Sequence, residues 1–144
     1  MTTVYAESSG VLRWLLGTAD AHALGSALAG AQMVVTSALT SAEVGRTLRR
    51  LVATAVLDAP AGDRAWERYS AAAAHWHLYG VTEAVLARAA QAFPREPLRT
   101  LDAIHLATAA LFALEVVPPT VLSVDQPVRA NAHALGLSVL PTLA

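Results

Sequence analysis

Short apolar runs of four or five residues recur along this chain, and each gives way to an alanine-rich stretch with helical spacing. Residues 3–6 (Thr-Val-Tyr-Ala), 33–36 (Met-Val-Val-Thr), 120–124 (Thr-Val-Leu-Ser-Val) and 137–140 (Leu-Ser-Val-Leu) read as strands. Residues 77–81 read as a short strand or loop. Helical spacing occupies the stretches that follow: from Val11 to Leu16 with Ser8 or Ser9 as cap, 20–29, 40–57, 63–75, 82–91, 100–114 and 125–135. Gly17, Gly30, the group Asp58, Pro60 and Gly62, the prolines at 94 and 97, Pro118-Pro119 and Gly136 punctuate them. Strands apolar on both sides must be covered on both sides. The expected architecture is therefore helix-rich α/β, a short parallel-stranded central sheet flanked by helices on both faces. No repeat, linker or low-complexity tract divides the chain, so residues 1–144 are expected to form one domain.

Composition removes several chemistries. The sequence has no cysteine, which excludes a disulfide framework, a thiolate nucleophile and a cysteine-bound zinc. No apolar stretch reaches the roughly 18 residues needed to span a bilayer, and the first residues lack the basic start and apolar run of a signal peptide. A cytoplasmic protein without membrane contact is expected. The net charge of −1 excludes a globally basic nucleic-acid binder. All ten basic residues are arginine, so any phosphate contact must come from a local patch of guanidinium groups.

The carboxylates carry most of the functional signal. Asp20, Asp58 and Asp63 sit where helices are expected to start, and Glu67, Glu83, Glu96 and Glu115 fall on polar faces, in a loop or at helix ends, places where acids serve structure. Four remain. Glu7 directly follows the first strand, and Asp125 directly follows the strand at 120–124. Glu43 lies in the first turn of the helix after the Met33 strand, and Asp102 in the first turn of the helix at 100–114. The C-terminal ends of parallel strands share one edge, and the helices that follow begin there. Each acid also has a structural reading. Thr40-x-x-Glu43 fits a capping box. Asp102 suits a helix start, and Asp125 with Pro127 suits an N-cap. Taken together they point elsewhere. Crowded carboxylates repel and need a cation, and oxygen-only ligands favour magnesium or manganese. Such an ion activates water and offsets charge on a phosphate, which gives phosphodiester hydrolysis without a covalent intermediate.

The motifs around these acids resemble a known family. Val4-Tyr5-Ala6-Glu7-Ser8-Ser9-Gly10-Val11-Leu12 resembles the opening of PIN domains, and Ser41-Ala42-Glu43-Val44 with Arg46 their second motif. The stretch from Leu98 to Ala109, which contains Thr100-Leu101-Asp102-Ala103-Ile104-His105, is similar to the central motif of VapC-like toxins. Val121-Leu122-Ser123-Val124-Asp125, with Ala134-Leu135-Gly136-Leu137, is similar to their C-terminal motif. The resemblance implies a PIN fold and a magnesium-dependent endoribonuclease, the toxin of a type II toxin–antitoxin pair. It also implies inhibition by a cognate antitoxin and homodimer formation. Glu7, Glu43, Asp102 and Asp125 would form the catalytic, metal-binding site, with Ser9 and Ser123 supporting it. One departure stands out: the family usually carries Asp where this chain has Glu7, and the extra methylene moves the carboxylate by about 1.5 Å. A PIN domain that has lost catalysis and only binds RNA or antitoxin is the alternative, and a DNA-directed nuclease a further one.

Other residues are weighed against simpler uses. His105 lies one turn from Asp102, and a hydrogen-bonded core position is the favoured reading over contact with substrate. His75 and His77 lack a third ligand for a metal. Arg46 and Arg50 share a helix face with Glu43 and either contact RNA or antitoxin, or form a salt-bridged surface. Arg13, Arg99 and Arg129 are further candidates for substrate binding. Trp14 and Leu15 are expected mainly to pack in the core.

Overall fold

A computed structural model describes residues 2–142; the expectation of one domain over 1–144 extends to Met1, Leu143 and Ala144, which lie outside them. Five strands form one parallel sheet: β1 (Thr3–Ala6), β2 (Met33–Ser37), β3 (His77–Tyr79), β4 (Thr120–Leu122) and β5 (Val139–Leu140), in the order β3-β2-β1-β4-β5. Seven helices are described: α1 (Ser8–Leu15), α2 (Ala21–Gly30), α3 (Leu39–Ala53), α4 (Ala59–Ala73), α5 (Glu83–Ala89), α6 (Thr100–Glu115) and α7 (Gln126–Ala134). None of these helices is long and apolar enough to cross a membrane.

The pleat sorts the strand residues into two cores. Tyr5, Val35 and Val121 point to one face, where they pack with Val85 of α5, Ile104 and Leu106 of α6 and Val128 of α7. Val4, Ala6, Val34 and Leu122 point to the other, against Val11 and Trp14 of α1, Leu24 of α2, Val44 and Leu48 of α3, and Tyr69 of α4. The sheet is thus covered on both faces, as its apolar strands require. Helix α6 is buried nearly all round, from Asp102 to Ala109, which explains why its sequence lacks a polar stripe.

Several boundaries differ from the sequence expectation, each for a local reason. Helix α4 starts at Ala59, not Asp63, because Asp58 accepts a hydrogen bond from the Ala61 amide at 2.8 Å and Pro60 fits the first turn. Asp63 therefore lies within the helix. Helix α3 ends at Ala53, four residues early, with Ala55 in the left-handed region at φ 60°. Residues 77–81 resolve into the edge strand β3 followed by the Thr82 cap of α5. The proline-rich loop before α6 is pinned by buried Asn131: its amide accepts from the Arg95 N–H at 2.8 Å and donates to the Arg95 carbonyl at 2.9 Å.

The strand order turns at β1. The chain moves outward through β2 and β3, then returns to place β4 on the other side of β1. The crevice beyond the C-terminal ends of β1 and β4 is the switch point at which open α/β sheets gather their ligands. Gly10 makes this crevice tight. A Cβ on Gly10 would stand 2.6 Å from the Leu122 carbonyl oxygen and 2.3 Å from its Cδ2, so only glycine lets α1 lie this close to β4. Gly10→Ala is expected to lower the unfolding free energy by roughly 1–3 kcal/mol, the usual range for overpacking, as read by urea denaturation; an unchanged midpoint and slope would show that β4 yields freely.

Candidate active site

Glu7 leaves β1 at the switch point and turns its carboxylate back onto its own helix and onto β4. It caps α1, accepting from the Ser9 N–H at 2.7 Å. The other oxygen, Oε1, accepts from the Ser9 hydroxyl and the Ser123 hydroxyl, each at 2.5 Å. The two serines are themselves fixed by backbone: the Val124 N–H donates to Ser9 Oγ at 3.0 Å, and the Asp125 N–H to Ser123 Oγ at 3.1 Å. Glu7 is 4% exposed, so these donors replace the water that a buried carboxylate loses. The sequence expectation of a Ser8 or Ser9 cap is corrected: Glu7 is the cap, and both serines lie in the first turn. One Glu7 carboxylate thus serves both the helix start and β4.

Glu43 has a different set of partners. The capping box suggested by Thr40-x-x-Glu43 does not form, because α3 begins at Leu39 and the Thr40 hydroxyl is paired with Thr36 at 2.7 Å. The Glu43 carboxylate instead reaches into the interior. Its Oε1 meets His105 Nε2 at 2.5 Å and accepts from the Ser8 hydroxyl at 2.6 Å. His105 is 1% exposed and its Nδ1 lies 2.8 Å from the Tyr5 hydroxyl. Burial, and secondarily Glu7, keep the Tyr5 phenol protonated well past its ordinary range. That phenol can donate to Nδ1, which leaves the Nε2 proton for Glu43. Burial alone would raise the Glu43 pKa, but the hydrogen bonds from His105 and from the Ser8 hydroxyl outweigh it and hold the carboxyl below its usual value. His105 is thus the hydrogen-bonded core residue the sequence favoured. From sequence Tyr5 is an ordinary strand residue and Ser8 only a candidate cap, and the approach of α6 to β1 is what places both in this network.

Asp102 and Asp125 form the third group. Asp102 stands in the first turn of α6, and Asp125 caps α7 by accepting from the Val128 N–H at 3.3 Å. One guanidinium spans them: Arg99 Nε lies 3.4 Å from Asp102 Oδ2, and Arg99 Nη2 lies 3.6 Å from Asp125 Oδ2. The Arg99 side chain is 80% exposed, so this bridge is loose and solvent-screened. Burial first, and then the Asp125 charge, push the Asp102 pKa above its ordinary value despite Arg99. Two carboxylates that repel each other and draw a cation between them suit a hard divalent ion in donor chemistry, with Arg99 marking where positive charge is favoured.

The four acids thus reach one edge of the sheet but in three separate settings. Ser123 links Glu7 to the start of α7, and Ser8 links Glu43 to α1. Among the described residues, no three His, Asp or Glu side chains stand close enough to hold a single ion. The arginines divide likewise. Arg99 is at the acids. Arg13 is paired with Asp20 at 3.2 Å. Arg129 donates to the carbonyls of Ser123 and Pro141, each at 2.7 Å, and so ties the end of β4 to the chain beyond β5. Arg46 and Arg50 are exposed on α3, and His75 and His77 are exposed at the end of α4 and in β3.

Comparison with known proteins gives the family. The family model for the PIN domain matches residues 4–126, from within β1 to the start of α7. The chain is 34% identical over 140 residues to Ribonuclease VapC46 of Mycobacterium tuberculosis (strain ATCC 25618 / H37Rv), covering 97% of this chain and 98% of that protein. It is 31% identical over 140 residues to Ribonuclease VapC35 of Mycobacterium tuberculosis, in strains CDC 1551 / Oshkosh and ATCC 25618 / H37Rv, covering 95% of each. The match runs through all four acid-bearing segments, and the chain belongs to the PIN-domain family as a VapC-like protein.

Proposed function

We propose that the chain is an endoribonuclease whose site lies at the C-terminal edge of β1 and β4. The observation that carries this reading is the Asp102–Asp125 pair, two carboxylates on different helices that share one loosely held guanidinium. Asp102 and Asp125 would hold a magnesium ion, or manganese in its place. Glu7 and Glu43 complete the acidic surround, and Ser9 and Ser123 fix its geometry. When bound there, the ion supplies an activated water and offsets charge on the phosphate. The chain's own residues do the rest. Exposed Arg99 can exchange its carboxylates for a substrate phosphate, for which its planar fork is suited. The hydrogen bonds on Glu7 hold β4 and the start of α7 in register, so Asp125 is presented at a fixed place. The names of the relatives support RNA as substrate. Inhibition by a cognate antitoxin, homodimer formation, a cytoplasmic location and a single-domain organisation belong to the same proposal.

The engagement of Glu7 by three donors and of Glu43 by His105 favours one second reading, a PIN domain that binds RNA without cutting it. Cleavage of total RNA with mapped ends separates the two. With magnesium present, the protein is expected to cut, and Asp102→Asn to reduce the rate by at least about a hundredfold, a loss of more than roughly 2.7 kcal/mol of transition-state stabilisation. Equal cleavage by both proteins would remove Asp102 from the mechanism, and RNA binding without any cleavage would establish the second reading.

The same substitution has a consequence for stability. Because folding raises the Asp102 pKa, ionising this carboxyl costs the folded state free energy at every pH above the raised value. In metal-free protein at neutral pH, Asp102→Asn should therefore melt at a higher temperature than the parent. The gain should shrink as the pH falls into the ordinary carboxylate range, where Asp102 is protonated anyway. A lower melting temperature at neutral pH would contradict this assignment of the shift.

A further inference from the structure

Away from the acids, helices α3 and α4 enclose a groove of about 570 Å³. Leu48, Val52 and small residues such as Gly45 form a largely apolar floor, and Arg46 and Arg49 of α3 and Trp66 of α4 stand at its walls. Neither Arg46 nor Arg49 makes an ion pair among the described residues. Among the described residues the only acid in the lining is Asp63, so two guanidinium groups face one carboxylate in a chain whose net charge is negative. Trp66 is 41% exposed, with its ring edge held against Gly45 and its body tilted over Tyr69 at 5.3 Å. A side chain at Gly45 would meet the ring at 3.3 Å, so the glycine gives the indole its seat.

The groove begins at the N-terminal end of α3, the end that also carries Glu43. Ser41 and Ala42 line it, and Glu43 is the next residue of α3; Arg46 follows Glu43 by three positions and lies on the adjoining helix face. We propose that this groove binds the single-stranded RNA segment flanking the scissile phosphate, with a base stacked on Trp66 and the backbone phosphates on Arg46 and Arg49. The inference rests on the reading of the chain as a ribonuclease. Its physical basis is general. Single strands are held by guanidinium groups along the backbone and by aromatic faces that accept any base, and a purely apolar peptide would leave both arginines desolvated and unpaired. Unpaired basic groups next to an exposed indole favour a polyanion with planar bases over a protein segment.

The test uses full-length protein carrying Asp102→Asn, so that RNA is not consumed, and a fluorescein-labelled single-stranded RNA oligonucleotide followed by anisotropy over a range of salt. Adding Arg46→Gln and Arg49→Gln should weaken binding and flatten the dependence of log K on log salt by about 1.4, since each phosphate contact on a single strand contributes about 0.7. Trp66→Ala should weaken binding by roughly fivefold or more, and Trp66→Phe should retain most of the affinity. In the cleaving protein, the arginine pair should raise KM and leave kcat near its parent value, the pattern of lost ground-state binding. The arginines are exposed and leave the core untouched, so they report even if Trp66→Ala unfolds. Parent-like affinity and slope in the arginine variant would overturn the groove assignment while leaving the ribonuclease reading intact, and would point to a protein as its occupant. Absence of RNA binding by the Asp102→Asn protein itself, together with absence of cleavage by the parent, would overturn both.

Discussion

The carboxylate of Glu7 joins what the chain brings together last. β1 and β4 are neighbours in the sheet but more than a hundred residues apart in sequence, and Glu7 accepts from Ser123 across that gap while also capping α1. Three donors on one buried carboxylate offset its desolvation, and removal of any one would leave charge unsatisfied in the interior. The clasp needs close approach, which Gly10 provides by letting α1 lie against Leu122. Once β1 and β4 are locked, the start of α7 is fixed, and with it Asp125.

A second contact builds on that frame. His105 comes from the most buried helix and bridges Tyr5 of β1 to Glu43 of α3. It thereby couples the two cores through the sheet edge, one layer holding α6 and the other α3. Asp102, one turn before His105 on α6, is carried to the same edge. The site is therefore a product of packing three helix starts against one strand end, and its electrostatics follow. Glu43, with His105 and Ser8 donating to it, is favoured in its charged form, whereas Asp102, with burial and another carboxylate beside it, is disfavoured in its charged form.

The departure at position 7 takes on a physical meaning in this setting. An aspartate there would end about 1.5 Å short. The longer side chain spans from the Ser9 amide to the Ser123 hydroxyl. One glutamate side chain thereby ties the start of α1 to the end of β4. The arginines divide their roles: Arg99 stays with the acids, Arg129 secures the chain after β5, and Arg46 and Arg49 line the groove between α3 and α4.

Much of this was present in the sequence itself. Apolar runs of strand length alternating with helical stretches determined a parallel sheet covered on both faces, because backbone groups and apolar side chains allow few other solutions. The placement of Glu7, Asp125 and Glu43 after strands determined that three acids would reach one edge. What periodicity could not give was partnership, since it reports which side of an element is buried and not what lies opposite. That Thr40 would turn to Thr36 and free Glu43 for His105, 62 residues away, depended on where α6 crosses β1. That Arg99 would span Asp102 and Asp125, while Arg129 would be absorbed by two carbonyls, depended on the loop held by Asn131 and on the end of the sheet. Only the tertiary structure decided these, because hydrogen bonds and ion pairs are settled by distances of a few ångströms between elements that the sequence leaves far apart.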